Sequence, residues 1–386
     1  MKQTRTIKLK IGQSKDFDDV CGRFLFACNW LSDIVFSTRE TNSINLHKGN
    51  YSVIRKRFGL PSQLTCSSFR HVTAAFLSQR SQGRWHPVNF RRLVMPVVWN
   101  RDFSFTKTKG LCFWGKPIKI SDKRMPPVET WKDSVLQKKG DCWYLILCHR
   151  ITVPEPKTEG CIVGVDSGIK RIFTATNSAN SRTFTFSGGE LNGRRRSIRR
   201  TKAKVQSKGT RSSKRLLQRM SGHEAKVTTH LMHIASKKLV QYAESVGARR
   251  IVMEKLSNIR EASLAKGKEM RDRICRWPYA QGQFFVQYKA EAKSITFELV
   301  SPKNTSRGCP KCGHIDSRNR NGLKFRCLLC GHKGDADRVA SANIRNRSVV
   351  SRHNLVTEGS RNTPGSPEPF EISSEDAVHN ASLVLV

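Results

Sequence analysis

Residues 161–176 read CIVGVDSGIKRIFTAT, and this stretch decides the fold. An unbroken apolar run, CIVGV, stops on Asp166, and Ser167-Gly168 then lets the chain turn back into KRIFTAT. A short apolar run bounded by turn residues reads as a buried strand, and its successor as the partner in a tight hairpin. RTFTFSGG (182–189) follows a polar turn and supplies a third strand, so the spacing predicts an antiparallel meander. Further on, residues 190–246 are helical in character. Within them Leu231, Ala235, Leu239, Tyr242 and Val246 recur at spacings of 4, 4, 3 and 4 and draw one apolar stripe. Gly247 suits the helix C-cap. RRIVMEKL (249–256) is another buried strand, with Glu254 near its end, and a helix over about 279–293 leads to the strand ITFELV (295–300).

The order βββ-α-β-α-β is the one a ribonuclease H–like fold requires. Upstream the pattern differs. TRTIKLKI (4–11) alternates as a half-buried strand does, and from Asp16 to about Arg91 the apolar residues fall at helical spacing. Residues 92–155 return to short strands, RLVMPVVW, LCFWGKPIKI and CWYLILCHRITV. A strand, a helical insertion and further strands predict a small β-barrel interrupted by a helical lobe. The fold class expected is therefore α/β and multidomain. From Glu358 onward Pro364, Gly365, Pro367, Pro369 and a run of acidic residues read as a disordered tail.

Seventy Lys and Arg against 30 Asp and Glu leave a formal charge of +40. Self-repulsion on this scale destabilises a compact chain unless a polyanion relieves it, and nucleic acid is the commonest polyanion. A membrane is disfavoured, because no run of about 18 apolar residues is present. MKQTRTIKLKIG also lacks the apolar core of a signal peptide, which predicts a cytoplasmic, nucleoid-associated protein. The basic residues are densest between Leu191 and Met220, where twelve Lys and Arg occur without one acidic residue. Arg194, Arg195, Arg196, Arg199, Arg200, Lys202, Lys204 and Arg211 are the candidate contacts to a nucleic-acid backbone. A solvated helical face is the plainer reading of a charge run, but uncompensated like charges at this density favour phosphate contact.

Four of the twelve cysteines stand apart from the scattered rest. Cys309-Pro-Lys-Cys312-Gly and Cys327-Leu-Leu-Cys330-Gly are two CxxC knuckles separated by 14 residues. Each knuckle aims two thiolates at one ion, and together they complete a closed tetrahedral site, so the zinc expected here is structural. Asn321-Gly322 between them signals a hairpin, and the segment reads as a zinc ribbon.

Acidic residues are scarce, and a carboxylate at the end of a hydrophobic strand is costly unless it is paired or metal-bound. Asp166 and Glu254 each end a predicted strand, and GDADRVASANIRN (334–346) opens a predicted helix just past the ribbon. Carboxylates converging from different elements are what two Mg²⁺ ions need. Spacing alone does not choose between Asp335 and Asp337 as the third.

Taken together, GVDSGIK, IVMEKLSNI, NTSRGCPKCG, CLLCG and DADRVASANI resemble the TnpB family of transposon-encoded RNA-guided nucleases, relatives of the miniature type V CRISPR effectors. The specific motifs fall within about 161–347, with a looser likeness upstream. The resemblance implies a wedge β-barrel at 1–15 and 92–160 carrying a helical recognition lobe at 16–91. A RuvC nuclease domain at 161–303 and 332–350, a zinc ribbon at 304–331 and a tail at 351–386 complete the plan. It implies the triad Asp166, Glu254 and Asp337, with Ala340 fixing the register of the last motif and Val339 standing where the family usually has Asn. It implies a guide RNA, a short target-adjacent duplex motif, and cleavage of double-stranded DNA with two Mg²⁺, one strand at a time; single-stranded DNA is a further expected partner, and a monomer on one RNA is expected over a dimer.

Overall fold

The computed structural model describes residues 2–108, 110–120, 125–256 and 267–358. The chain divides into two compact units, Met1–Glu155 and Pro156–Val386.

In the first unit β1 (Lys2–Gly12) is followed by α1 (Lys15–Thr38), α2 (Ser43–Phe58) and α3 (Ser62–Ser81), then by β2 (Val94–Val97), β3 (Phe103–Thr106), β4 (Gly110–Phe113), β5 (Lys116–Ile118), β6 (Trp131–Lys139) and β7 (Cys142–Thr152). The helical insertion is thus present. The strands, however, pair as two antiparallel sheets, β1-β7-β6-β2 and β3-β4-β5, and among the described residues no pairing closes them into the expected barrel. One aromatic-rich core joins helices to sheets. Phe17 on α1 meets Phe113 at 5.2 Å and Trp143 at 5.8 Å between ring centroids. Trp131 and Trp143 are fully buried, while Trp30, Trp85, Trp99 and Trp114 pack at the margin of the core.

The second unit begins with β8 (Cys161–Asp166), β9 (Arg171–Asn177) and β10 (Thr183–Ser187), the meander the sequence predicts. The long helical stretch then breaks into α4 (Gly189–Gln206), α5 (Arg211–Arg219) and α6 (His223–Ser245), which lead to β11 (Ala248–Glu254). α7 (Lys268–Cys275) and α8 (Tyr279–Glu291) precede β12 (Thr296–Val300). The sheet order is β10-β9-β8-β11-β12, with β8, β11 and β12 mutually parallel. Parallel neighbours need crossovers, and the helices between them provide these. A small hairpin sheet, β13 (Arg320–Asn321), β14 (Lys324–Arg326) and β15 (Lys333–Asp335), comes next, and α9 (Ala336–Glu358) ends the described chain. Residues 351–358, expected in a disordered tail, continue α9, because nothing before Gly359 breaks its helical sequence. The rest of that tail lies outside the described residues.

Strand alternation sorts the side chains. Cys161, Val163 and Val165 of β8 join Ile251 and Met253 of β11 in the core beneath α6 and α8. Ile162 and Val252 point the other way and pack with Val300 and Ile344 of α9. By the same parity Gly164 and Asp166, and Glu254, belong to the α9 face. α9 lies so close there that a Cβ on Gly164 would stand 2.1 Å from the Ser341 carbonyl oxygen and 2.6 Å from Arg345 Cβ. Gly164→Ala should therefore force α9 off the sheet and destabilise the second unit by about 1–3 kcal/mol or more, measured by chemical denaturation. Unchanged stability would show that the sheet tolerates a side chain beneath α9.

Candidate metal centres

Pairing of β8 with β11 places Gly164 opposite Val252 and Val165 opposite Met253, so the next residues, Asp166 and Glu254, end adjacent parallel strands side by side. Asp337, buried in the first turn of α9, comes over the same face. Asp166 feels the other two carboxyls. Burial, then the charges of Glu254 and Asp337, push Asp166 up from 3.8 to about 7, against the opposing pull of Arg320. Burial also raises Glu254, although the Thr305 hydroxyl donates to its Oε1 and Arg347 and Arg320 favour its charge. The main-chain carbonyl of Glu254 accepts from Gln283 Nε2 at 2.6 Å, so this residue is held at both ends. Oxygen donors of this kind suit a hard cation such as Mg²⁺. They stand further apart than the cysteines, which form the only cluster of three or more candidate ligands lying within 4.8 Å of one another among the described residues.

The two neighbouring aspartates behave differently. Asp335 is the N-cap of α9, accepting from the backbone N–H of Asp337 and of Arg338, each at 3.2 Å. Arg171 Nη1 lies 2.7 Å from both of its oxygens. Burial works against ionising Asp335, but the Arg171 contact and these backbone donors outweigh it and hold the carboxyl below its usual range. Asp337 instead receives Arg320 Nη2 at 3.0 Å and Arg171 Nη1 at 3.3 Å and contributes its charge to Asp166. Arg320 comes from β13, so the ribbon reaches back to the carboxylates.

The four cysteines are brought together as their spacing predicts, with Sγ separations of 3.6 Å for Cys309–Cys330 and 3.5 Å for Cys312–Cys327. The knuckles repeat one geometry. Gly313 donates to the Cys309 carbonyl at 2.9 Å and Gly331 to that of Cys327 at 3.1 Å, at φ of 76° and 70°, where glycine alone is unstrained. Backbone N–H groups of Cys330 and Leu329 help pull Cys327 down to about 6. The His314 backbone favours the Cys312 thiolate, yet desolvation and the neighbouring sulfurs push that thiol up to about 12. Crowded thiols resist joint ionisation without a cation, and an S₄ set of this size fits zinc. Sequence reasoning misses Asn319, which is buried and ties the knuckles together, donating to the His314 carbonyl at 3.3 Å and accepting from Leu328 N–H at 3.0 Å. Val339 packs with Cys309, Phe325, Cys327 and Ala336 in the small core of the ribbon.

The basic stretch is only partly a surface. Leu191, Arg195 and Ile198 form the buried side of α4, at spacings of 4 and 3 that mark Arg195 as an inward position. Its guanidinium donates to the Arg276 carbonyl at 2.9 Å and to Thr228 at 3.3 Å, so Arg195 is a structural cation and not an exposed phosphate contact. Arg199 is engaged by Asp272 at 3.4 Å and Glu224 at 3.8 Å, and Arg194 by Glu190 at 2.8 Å. Arg196, Arg200, Lys204 and Arg211 are exposed, and Lys202 is half-buried.

Residues 144–260 match the family model described as "Probable transposase", and residues 279–344 match "Cas12f1-like, TNB domain". The TnpB-like protein MJ0751 of Methanocaldococcus jannaschii is 38% identical over 136 residues, 35% of this chain and 48% of that protein. The chain is similar to TnpB-like proteins. The CRISPR-associated endodeoxyribonuclease Cas12f1 of Sulfoacidibacillus thermotolerans is 31% identical to this chain over 219 residues, 52% of it and 49% of the relative. The chain thus spans about half the length of the curated relatives it matches. A solved structure of the mini-RNA-guided endonuclease CRISPR-Cas_phi3 has the same fold at a TM-score of 0.53 with 11% identity, covering 90% of this chain and 92% of that one.

A raised carboxyl has a consequence for pH. Asp166 binds its proton more tightly when folded (about 7) than when unfolded (3.8). Its stabilising contribution is therefore complete below about pH 4 and is lost as pH rises through 7. In chelator at pH 8, Asp166→Asn should be more stable than the parent by on the order of 2–4 kcal/mol, with the difference vanishing near pH 4. A denaturation series across pH reads this directly, and a pH-independent difference would contradict it.

Proposed function

We propose that this TnpB-like protein is an RNA-guided DNA endonuclease whose carboxylate site, in a ribonuclease H–like RuvC domain, cleaves DNA selected by pairing to a bound guide RNA. The observation that carries the reading is the convergence of Asp166, Glu254 and Asp337 on one sheet face despite the repulsion the other two exert on Asp166. Three antiparallel strands followed by two parallel ones, with the carboxylates at the ends of the central pair, support the ribonuclease H–like assignment. Kinship with a Cas12f1 endodeoxyribonuclease supports the reaction class, and the +40 charge supports a polyanionic partner.

In this reading Asp166, Glu254 and Asp337 hold two Mg²⁺ ions, which supply activation of the attacking water and charge stabilisation at the leaving 3′ oxygen. The protein's own contribution is geometric. Strand register sets Asp166 beside Glu254, and the Asp335 cap with Arg171 fixes the start of α9 and hence Asp337. Arg171 and Arg320 offset the carboxylate charge from the side of Asp337. The four cysteines hold a structural zinc. Arg196, Arg200, Lys202, Lys204 and Arg211 contact the backbone of a guide–target duplex. The first unit serves as wedge and recognition lobe for a target-adjacent motif, and one protein copy works on one RNA.

The protein purified with its RNA, supplied with Mg²⁺ and a plasmid matching the guide, should cut that plasmid and spare a mismatched one. Asp166→Ala and Glu254→Ala should each lower cleavage by about 10³-fold or more while target binding persists, because neither removes a nucleic-acid contact. Asp335→Ala should keep measurable cleavage, losing about 1 kcal/mol of helix capping. Cutting that ignores guide sequence would replace this reading with a guide-independent nuclease. Guide-dependent binding without cutting would make the protein an RNA-guided regulator, and a dead Asp335→Ala beside an active Asp337→Ala would reverse the assignment of the third ligand.

A further inference from the structure

Between β12 and the first cysteine knuckle the chain makes a compact turn over residues 301–308, and this turn touches both proposed metal centres. Thr305, 2% exposed, sits at its middle. Its hydroxyl donates to Glu254 Oε1 and lies 2.9 Å from the Pro302 carbonyl oxygen, so it also has a partner when Glu254 carries a proton. Its main-chain carbonyl accepts from Asn343 Nδ2 at 2.8 Å, and the same amide donates to the Gly308 carbonyl at 2.8 Å. Gly308 is the residue before Cys309. One helix turn further along α9, Arg347 donates to the carbonyls of Ser301 and Lys303. Asn343 and Arg347, four residues apart on one helix face, therefore clamp the turn at two points.

These contacts form one continuous path. It runs from the Cys309 knuckle through the Gly308 carbonyl, the Asn343 amide and the Thr305 peptide and hydroxyl to the Glu254 carboxylate. Asn343 bonds neither Glu254 nor a cysteine, and both of its bonds go to the turn. We propose that Thr305 and Asn343 are positioning residues that couple the four-cysteine ribbon to Glu254, so that the ordered ribbon sets how tightly the carboxylate site holds its own cations. The inference rests on the reading of Asp166, Glu254 and Asp337 as that site. Partners of this kind orient metal ligands, and losing one typically costs about 10–100-fold in metal affinity. With the carbonyl of Glu254 fixed by Gln283, the Thr305 hydroxyl is the contact that settles where its carboxylate points.

The test is manganese binding by the full-length, zinc-loaded protein, read from the electron paramagnetic resonance signal of free Mn²⁺, with zinc content and thermal unfolding recorded for every variant. Glu254→Gln should lose the tight Mn²⁺ component of the parent. If the parent has no component that depends on Glu254, the carboxylate-site reading itself fails. Given that component, Thr305→Val should weaken Mn²⁺ by about 10–100-fold at unchanged zinc content, and Thr305→Ser, which restores the hydroxyl, should recover most of the affinity. Asn343→Ala should also weaken Mn²⁺, although its side chain does not touch Glu254. Parental affinity in Thr305→Val would overturn the positioning role, and parental affinity in Asn343→Ala would overturn the coupling to the ribbon.

Discussion

The structure of the second unit depends on an unfavourable interaction. Burial and the charges of Glu254 and Asp337 raise the cost of ionising Asp166, and burial raises that of Glu254, in a place largely withdrawn from water. A fold that only needed stability would put apolar or paired residues there, since a buried carboxylate without a cation costs more than it returns. The arrangement survives because the surrounding elements over-determine it. Two strands in fixed parallel register set two of the groups, and a helix lying almost on the backbone of Gly164 sets the third. Arg320, the Thr305 hydroxyl and the Ser167 backbone offset only part of that cost, which leaves the site suited to a divalent ion.

Around that constraint the ribbon is more than an appendage. It contributes Arg320 to Asp337, its small core includes Val339 from α9, and the turn that leads into it holds Glu254 through Thr305. Val339 is thereby explained locally, as an apolar side chain beside Phe325 and the two buried cysteines. α9 is the common support. It begins with the Asp335 cap, carries Asp337, packs against β8 and β9, and grips the turn through Asn343 and Arg347.

Much of this was legible in the sequence, for definable reasons. The strands of the second unit announce themselves because each apolar run is short and ends in a turn or an acid. The cysteine site is legible because two thiols three apart on a tight turn have few other uses. The rest was hidden where one residue type serves two ends. Arg195 looked like its basic neighbours, and only its place between Leu191 and Ile198 betrays an inward position. Asp335 and Asp337 could not be separated by spacing, because the capping of α9 depends on where that helix starts. Thr305 acts on the Glu254 carboxylate and Asn343 on main-chain carbonyls, all far away in sequence, and Asn319 on main-chain groups across the ribbon, which no local pattern records. In the first unit strand positions were legible, but not their pairing into two sheets, since closure depends on long-range register.

The central claim is that the three carboxylates are a cation site distinct from the cysteine cluster. Anomalous diffraction from crystals of the zinc-loaded protein soaked in Mn²⁺ tests it most directly. The account predicts manganese density between Asp166, Glu254 and Asp337, together with a zinc peak among Cys309, Cys312, Cys327 and Cys330. Zinc at the cysteines with no manganese at the carboxylates would contradict it.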